Sequence, residues 1–247
     1  MQFTILRHDI LDSTNSQALK QAKLGAKEGL CILAKEQTSG RGRQGRNWVS
    51  GKNSGLYFSI VLRPNIDTKY LSLITLMTSV VVYEVLVDRF GLVPDIKWSN
   101  DVLIGEKKVS GILAETSDTP GGLAVVVGIG INLNSGNISG ELSDTATSIR
   151  QETGKDPDIE KLLTSLTSFF SFFYDLLQGE NGPGIIRKEW AKRSSYIDGK
   201  AVRATLENKT VSGTTCGLDE NGALRIKTES GRIESIQAGD VEMLRKS

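Results

Sequence analysis

The apolar positions of this chain fall into two periods, one near two residues and one near 3.6. Residues 3–10 and 30–34 are short runs of β character. Between them, Ala18, Leu19, Ala22 and Leu24 recur at helical spacing after Asp12-Ser13-Thr14-Asn15-Ser16-Gln17. Thr14 and Gln17 fit a capping box and Gly25 fits a helix stop. Residues 56–62 form a β run too apolar to face water. Residues 70–90 predict a long scaffold helix, with Leu73, Leu76, Met77, Val80, Val81 and Val87 near helical spacing and Gly91 at its end. Residues 96–104 and 107–115 predict a hairpin around Gly105-Glu106. Residues 122–134 predict a central strand whose glycines leave room for something to pack closely.

The second half separates into two textures. Residues 134–144 are rich in Asn, Ser and Gly and predict a mobile loop. Residues 159–177 and 182–194 predict packing helices, the second built around Trp190. After Tyr196 the chain turns to short β runs at 201–206, 211–217, 223–226 and 233–236, with Asp219-Glu220-Asn221-Gly222 as a turn. That texture predicts a small barrel-like unit of residues 196–247 after a larger domain of residues 1–195.

Composition narrows the function classes. The 247 residues carry 30 basic and 29 acidic side chains, a net charge of +1, which is not the balance of a general nucleic-acid binder. Cys31 and Cys216 show no metal-site spacing and make no disulfide framework, so a reducing, cytoplasmic setting is expected. The first residues show no basic segment followed by an apolar core and a cleavage site, and the apolar stretches are interrupted before membrane-spanning length, so neither a secretory leader nor membrane association is expected.

Three polar stretches carry candidate chemistry. In Gly40-Arg41-Gly42-Arg43-Gln44-Gly45-Arg46-Asn47-Trp48, arginines offer planar donor forks for phosphate or carboxylate, glycines allow close approach, and Trp48 offers an apolar wall. Such a segment fits either a small-anion site or an exposed loop that touches RNA. Ser13, Thr14 and Asn15 sit where a helix begins, fit for capping or for holding a polar ligand head. Asn100 and Asp101 lie where strand meets strand, a place for turn chemistry as much as for a site. Lys108, three residues before Gly111, suits an exposed edge charge or a site cation. Gly128-Ile129-Gly130 is not a dinucleotide fingerprint, because the third glycine is missing.

In order, Asp12-Ser13-Thr14-Asn15, the Gly40–Trp48 segment, Lys97-Trp98-Ser99-Asn100-Asp101, Lys108-Val109-Ser110-Gly111-Ile112-Leu113 and Gly128-Ile129-Gly130-Ile131-Asn132 closely resemble the biotin protein ligases. Ser99 departs from the pattern, where the family typically has proline. The DNA-binding helix-turn-helix that some members carry is also missing, so no repressor role is expected.

The resemblance implies an α+β fold: a mixed β-sheet with flanking helices, of the class II aminoacyl-tRNA synthetase and biotin ligase type, plus a small SH3-like barrel. It implies formation of biotinoyl-AMP from biotin and ATP with Mg²⁺, then transfer to a lysine of a biotin carboxyl carrier protein, with a homodimer as a possible assembly. Ser13, Thr14, Asn15, Gln37, Gly40, Arg41, Arg43, Trp48, Lys108 and Gly111 would hold biotin. Arg41, Arg43, Arg46, Trp48, Asn100, Lys108 and Asn132 would hold ATP. Lys108 and Arg43 would stabilise the reacting anions, and Asp101 would orient the incoming lysine. No metal ligands are assigned. A lipoate ligase, which shares the catalytic fold, and an RNA-binding module are the competing readings; the arginine segment disfavours the first and the near-neutral charge the second.

Overall fold

The computed structural model describes residues 1–140, 142–207 and 209–244. Its first half is built from strands β1 (Thr4–Leu11), β2 (Leu30–Gln37), β3 (Gly55–Leu62), β4 (Pro94–Lys97), β5 (Asp101–Ile104), β6 (Lys107–Thr119) and β7 (Gly122–Asn132). Helix α1 (Thr14–Lys23) lies between β1 and β2, and α2 (Ser72–Phe90) between β3 and β4. The seven strands form one mixed sheet in the order β1-β2-β3-β7-β6-β5-β4. Only β1 and β2 are parallel, joined by α1 as their crossover. The remaining pairs are antiparallel.

The alternation along β7 decides which face does what. Val125, Val127, Ile129 and Ile131 point into the large core, which they share with α2 and with α5 (Ile159–Gln178) and α6 (Gly182–Ala191). Ala124 and Val126 point the other way, onto Ala18 and Ala22 of α1. Further along that second face come Gly128, Gly130 and Asn132. The sheet is thus apolar and filled on one side. On the other it is covered by one helix at one end and left open at the other.

Helix α2 corrects one expectation from sequence. The segment Thr68–Phe90, with mean hydropathy 1.9, is long and apolar enough to cross a membrane by length and composition. Its apolar side chains are taken up by the core instead: Leu73, Ile74, Met77, Val80, Val81, Val82, Val85 and Leu86 are fully buried. Each such burial contributes roughly 1.5–3 kcal/mol. The helix ends at Gly91, whose φ of 63° closes it with a left-handed cap.

The cap of α1 also differs from expectation. Ser13, not Thr14, is the N-cap, and its hydroxyl accepts from Ser16 N. Thr14 is instead drawn to Gln37 and Ser59 across the sheet. Residues 134–144, expected to be a mobile loop, contain a 3₁₀ turn at Ser135–Asn137 and helix α3 (Leu142–Thr145), with Glu141 outside the described residues. Asn137 is buried and joins Tyr57 Oη at 2.7 Å to Gly51 N at 2.7 Å. Helix α4 (Ile149–Thr153) follows, capped by Ser148.

The C-terminal strands are β8 (Asp198–Thr205), β9 (Thr210–Leu218), β10 (Leu224–Lys227), β11 (Ile233–Ile236) and β12 (Asp240–Met243). They form an antiparallel sheet in the order β11-β10-β9-β8-β12. The 219–222 turn docks on the larger unit: Trp98 Nε1 donates to Gly222 O at 2.9 Å. A Cβ on Gly222, at φ 84°, would strike Leu73 and Leu76 of α2. The register also returns Asp240, first residue of β12, toward the open face of the seven-stranded sheet.

Candidate active site

Glycines make the floor of this open face. Gly130 pairs with Gly111 on β6 and with Tyr57 on β3. A Cβ on Gly130 would lie 2.6 Å from Trp48 Cε2, and one on Gly111 would lie 2.9 Å from Trp48 Cζ3. A Cβ on Gly128 would strike Asn15 Oδ1. The close packing expected against the β7 glycines is therefore made by Asn15 at the start of α1 and by the indole of Trp48.

Trp48 is held there by a hairpin rather than a loose loop. Trp48 N donates to Gly40 O at 2.9 Å, Gly42 N to Arg46 O at 2.7 Å and Arg46 N to Arg43 O at 3.1 Å. The turn places Gln44 at φ 53° and Gly45 at φ 71°, both left-handed, as a primed hairpin turn requires. Gly40 lies too close to Trp48 O and Ser50 Oγ to carry a side chain. From this rigid base the three arginines splay to three separate elements. Arg41 pairs with Glu115 of β6 and donates to Ser16 Oγ of α1. Arg43 donates to Ser99 Oγ and, at 2.9 Å, to Asn100 Oδ1. Arg46 pairs with Asp240 of β12.

Lys108 reaches the same space because of a register shift. The β5–β6 ladder slips between Val102 and Leu103, so that Val102 faces Ser110 but Leu103 faces Lys108. The extra residue, Val109, turns into the core, and Lys108 joins the face of Gly111. Its Nζ lies 2.7 Å from Asp101 Oδ1 and 5.2 Å from the centroid of the Trp48 ring. Asp101 pairs with Gly111 in the ladder, which sets it beside the same floor.

The charges are distributed unevenly. Arg41, Arg46 and Lys108 each face a carboxylate, from Glu115, Asp240 and Asp101. Arg43 has neutral direct partners, Ser99 and Asn100. Burial pushes its pKa below the ordinary value, with Asp240 and Asp101 pulling the other way; it stays charged. Arg43 is thus the cation best placed to take an incoming anion. Ser99 matters here, since proline would offer Arg43 no hydroxyl. The Trp98–Ser99 peptide is cis.

At the α1 end the groups are uncharged. Thr14 N and Oγ1 both donate to Gln37 Oε1, at 2.8 and 3.1 Å. Gln37 Nε2 donates to Ser50 Oγ at 2.7 Å, and Ser50 Oγ donates to Trp48 O. Ser59 Oγ lies 2.8 Å from Thr14 Oγ1 and 2.6 Å from Asn15 Oδ1. Ser13, Thr14, Asn15, Gln37, Arg41, Arg43, Arg46, Trp48, Asn100, Asp101, Lys108 and Gly111 all border one cavity.

Two of the sequence-predicted residues sit differently. Gly40 backs the hairpin instead of bordering the cavity. Asn132 borders an adjoining cleft with Lys108 and Arg46, and its Nδ2 donates to Thr147 O at 3.0 Å. Asn100 sits behind Arg43, holding it with Oδ1 while Nδ2 donates to Ile112 O at 3.2 Å. Sequence reasoning missed Ser59, Glu115 and Asp240. Glu115 was within reach of it, because Gly111, Leu113 and Glu115 share one face of a strand by period two.

Residues 8–134 match the biotin/lipoate A/B protein ligase family, and residues 199–244 match the biotin protein ligase C-terminal domain. The chain belongs to the biotin protein ligases. It is 35% identical over 243 residues to the bifunctional ligase/repressor BirA of Bacillus subtilis, covering 97% of this chain and 74% of that one. It is 36% identical over 238 residues to the biotin–[acetyl-CoA-carboxylase] ligase of Paracoccus denitrificans, covering 93% and 96%. The structure of the Aquifex aeolicus biotin protein ligase in complex with biotin and ATP superposes with a TM-score of 0.84 at 32% identity, covering 98% of this chain and 99% of that one. The mixed sheet and the antiparallel C-terminal sheet of this biotin protein ligase agree with the fold class expected from sequence.

Proposed function

We propose that this biotin protein ligase activates biotin with ATP to biotinoyl-5′-AMP and then transfers biotin to the acceptor lysine of the carrier protein of a biotin-dependent carboxylase. The observation that carries this is one cavity with two ends: a neutral hydrogen-bonding end at Ser13, Thr14, Asn15 and Gln37, and a cationic end at Arg41, Arg43, Arg46 and Lys108. Biotin has a matching pair of ends, a polar ureido head and a carboxylate. Its aliphatic chain would lie along Trp48 and the strand from Gly111 to Leu113.

Two anions, the carboxylate and the α-phosphate, must meet in the first step. Fixed cations where charge develops are the direct remedy. Lys108 would take the reacting oxygens, exchanging its contact with Asp101 for theirs. Arg43, with no carboxylate bonded to it, would close on the finished adenylate and keep water from the anhydride. Asp101, released by Lys108, would then receive the acceptor lysine and its proton, since an ammonium near pKa 10.4 must lose a proton to attack. Among the described residues no three His, Cys, Asp or Glu side chains converge on a metal position. Magnesium would enter as MgATP, held mainly by the phosphates.

Residues 1–195 would form the catalytic unit and residues 196–247 the accessory one, with Asp240 reaching back to Arg46. A cytoplasmic setting fits this chemistry. A homodimer is supported by the edge strand β1, where Leu6 and Ile10 are exposed.

The test is transfer to a purified carrier domain from acetyl-CoA carboxylase, read with streptavidin. Labelling that requires biotin and MgATP, and disappears when the carrier lysine is changed to arginine, is expected. No labelling by active-site-intact protein would overturn the proposal.

A further inference from the structure

Glu115 lies two residues beyond the Lys108–Leu113 segment quoted for the resemblance, and its carboxylate joins both ends of the cavity. It sits on β6 opposite Val126, two residues beyond Leu113 on the face toward α1. One oxygen, Oε2, accepts from Asn15 Nδ2 at 2.9 Å. The other, Oε1, accepts from Arg41. Asn15 is buried, and its remaining bonds leave its amide one orientation. Nδ2 also donates to Leu113 O at 3.1 Å, and Oδ1 accepts from Ser59 Oγ at 2.6 Å. Both acceptors around Nδ2 demand the NH₂, so the carbonyl oxygen must face Ser59.

That orientation propagates. A serine hydroxyl has one proton. With Asn15 Oδ1 accepting it, Ser59 has none to give Thr14, so Thr14 Oγ1 is the donor of that pair, toward Ser59 Oγ at 2.8 Å or toward Gln37 Oε1 at 3.1 Å. The same carboxylate ties down Arg41 at the base of the hairpin that carries Trp48.

We propose that Glu115 is a positioning residue of the ligand-head pocket, fixing the amide of Asn15 with one oxygen and the guanidinium of Arg41 with the other. This rests on the reading of the cavity as a biotin site. A carboxylate is needed because it offers two acceptors. A glutamine offers one acceptor and one donor, so it satisfies either Asn15 as oriented or Arg41, never both.

The test uses the full-length protein carrying Glu115→Gln, an isosteric change at a partly exposed position, with Glu115→Ala as a second variant. Wild-type protein is first assayed for biotin-dependent ATP–pyrophosphate exchange; its failure there would strike the biotin reading and not the role of Glu115. Given an active wild type, Glu115→Gln should raise the KM for biotin roughly tenfold, the effect expected for one misdirected buried hydrogen bond. The KM for ATP should stay within about twofold and kcat within about threefold. Glu115→Ala should move the same constant in the same direction. Combining Glu115→Gln with Asn15→Ala should add less than the sum of the single effects, because both act through one amide. Unchanged KM for biotin in both variants would overturn the proposal. So would a lowered melting temperature with biotin and ATP constants shifted alike, since that is the mark of a residue that only stabilises the fold.

Discussion

Lys108 Nζ and Asp101 Oδ1 lie 2.7 Å apart on neighbouring strands, brought together by the slip in the β5–β6 ladder that turns Val109 into the core. In an unbroken alternation along β6 Lys108 would share the core-facing side with Ile112, and the site would lack its central cation. Removing the lysine should therefore strike chemistry more than fold. In single turnover, Lys108→Ala is expected to slow adenylate formation about 30- to 1000-fold, the loss of roughly 2–4 kcal/mol of charge stabilisation. Arg43→Gly should still form adenylate but release it roughly 10- to 100-fold faster, the effect of losing one charge-assisted contact. A leaky Lys108 variant with a chemically blocked Arg43 variant would reverse the assignment.

Asp101 separates the two half-reactions. Asp101→Asn keeps the shape but removes the proton acceptor. Transfer to the carrier should fall on the order of 100-fold. Pyrophosphate exchange should fall less than about 10-fold, because the ion pair with half-exposed Lys108 contributes little by itself. Equal losses in both assays would show that Asp101 serves only to hold Lys108.

The glycine floor predicts a steric effect. In Gly130→Ala the new methyl meets the Trp48 ring, which rests on a well-fixed hairpin. The KM for biotin should rise roughly tenfold, the scale of overpacking a tight contact. Secondary structure by circular dichroism should stay unchanged. A wild-type KM would mean that Trp48 does not line the ligand.

The contact between units predicts a split between affinity and stability. Asp240→Asn removes the partner of Arg46, an ion pair whose arginine is mostly exposed. Stability should change by less than about 1 kcal/mol. The KM for ATP should nevertheless rise, roughly threefold, as Arg46 loses its fixed direction. An effect on the KM for biotin alone would contradict the placement of Arg46 at the nucleotide end.

Much of this was legible in the chain. The apolar run of residues 122–134 identified β7 and its glycines, and the resemblance carried by the motifs grouped Lys108, Arg43 and Trp48 in one site. The missing parts have a common physical origin. Glu115 and Asp240 act through partners 74 and 194 residues away, and no local pattern announces such a pairing. Thr14 was read as a cap because its immediate sequence permits one, whereas Gln37 and Ser59 outcompete the helix end for its hydroxyl. Strand β12, Asp240–Met243, was not read from the sequence, and its pairing with β8 is what marks it as a strand. The length and apolarity of α2 signal a membrane span as readily as a buried helix, and only its packing partners decide.

The most direct measurement is ATP–pyrophosphate exchange with biotin, lipoate or octanoate as the acid, in the absence of any carrier. Exchange that requires biotin and MgATP, with lipoate and octanoate near background, is the result predicted by a pocket with a neutral hydrogen-bonding end at Thr14, Asn15 and Gln37. Exchange that is faster with lipoate or octanoate than with biotin would contradict it.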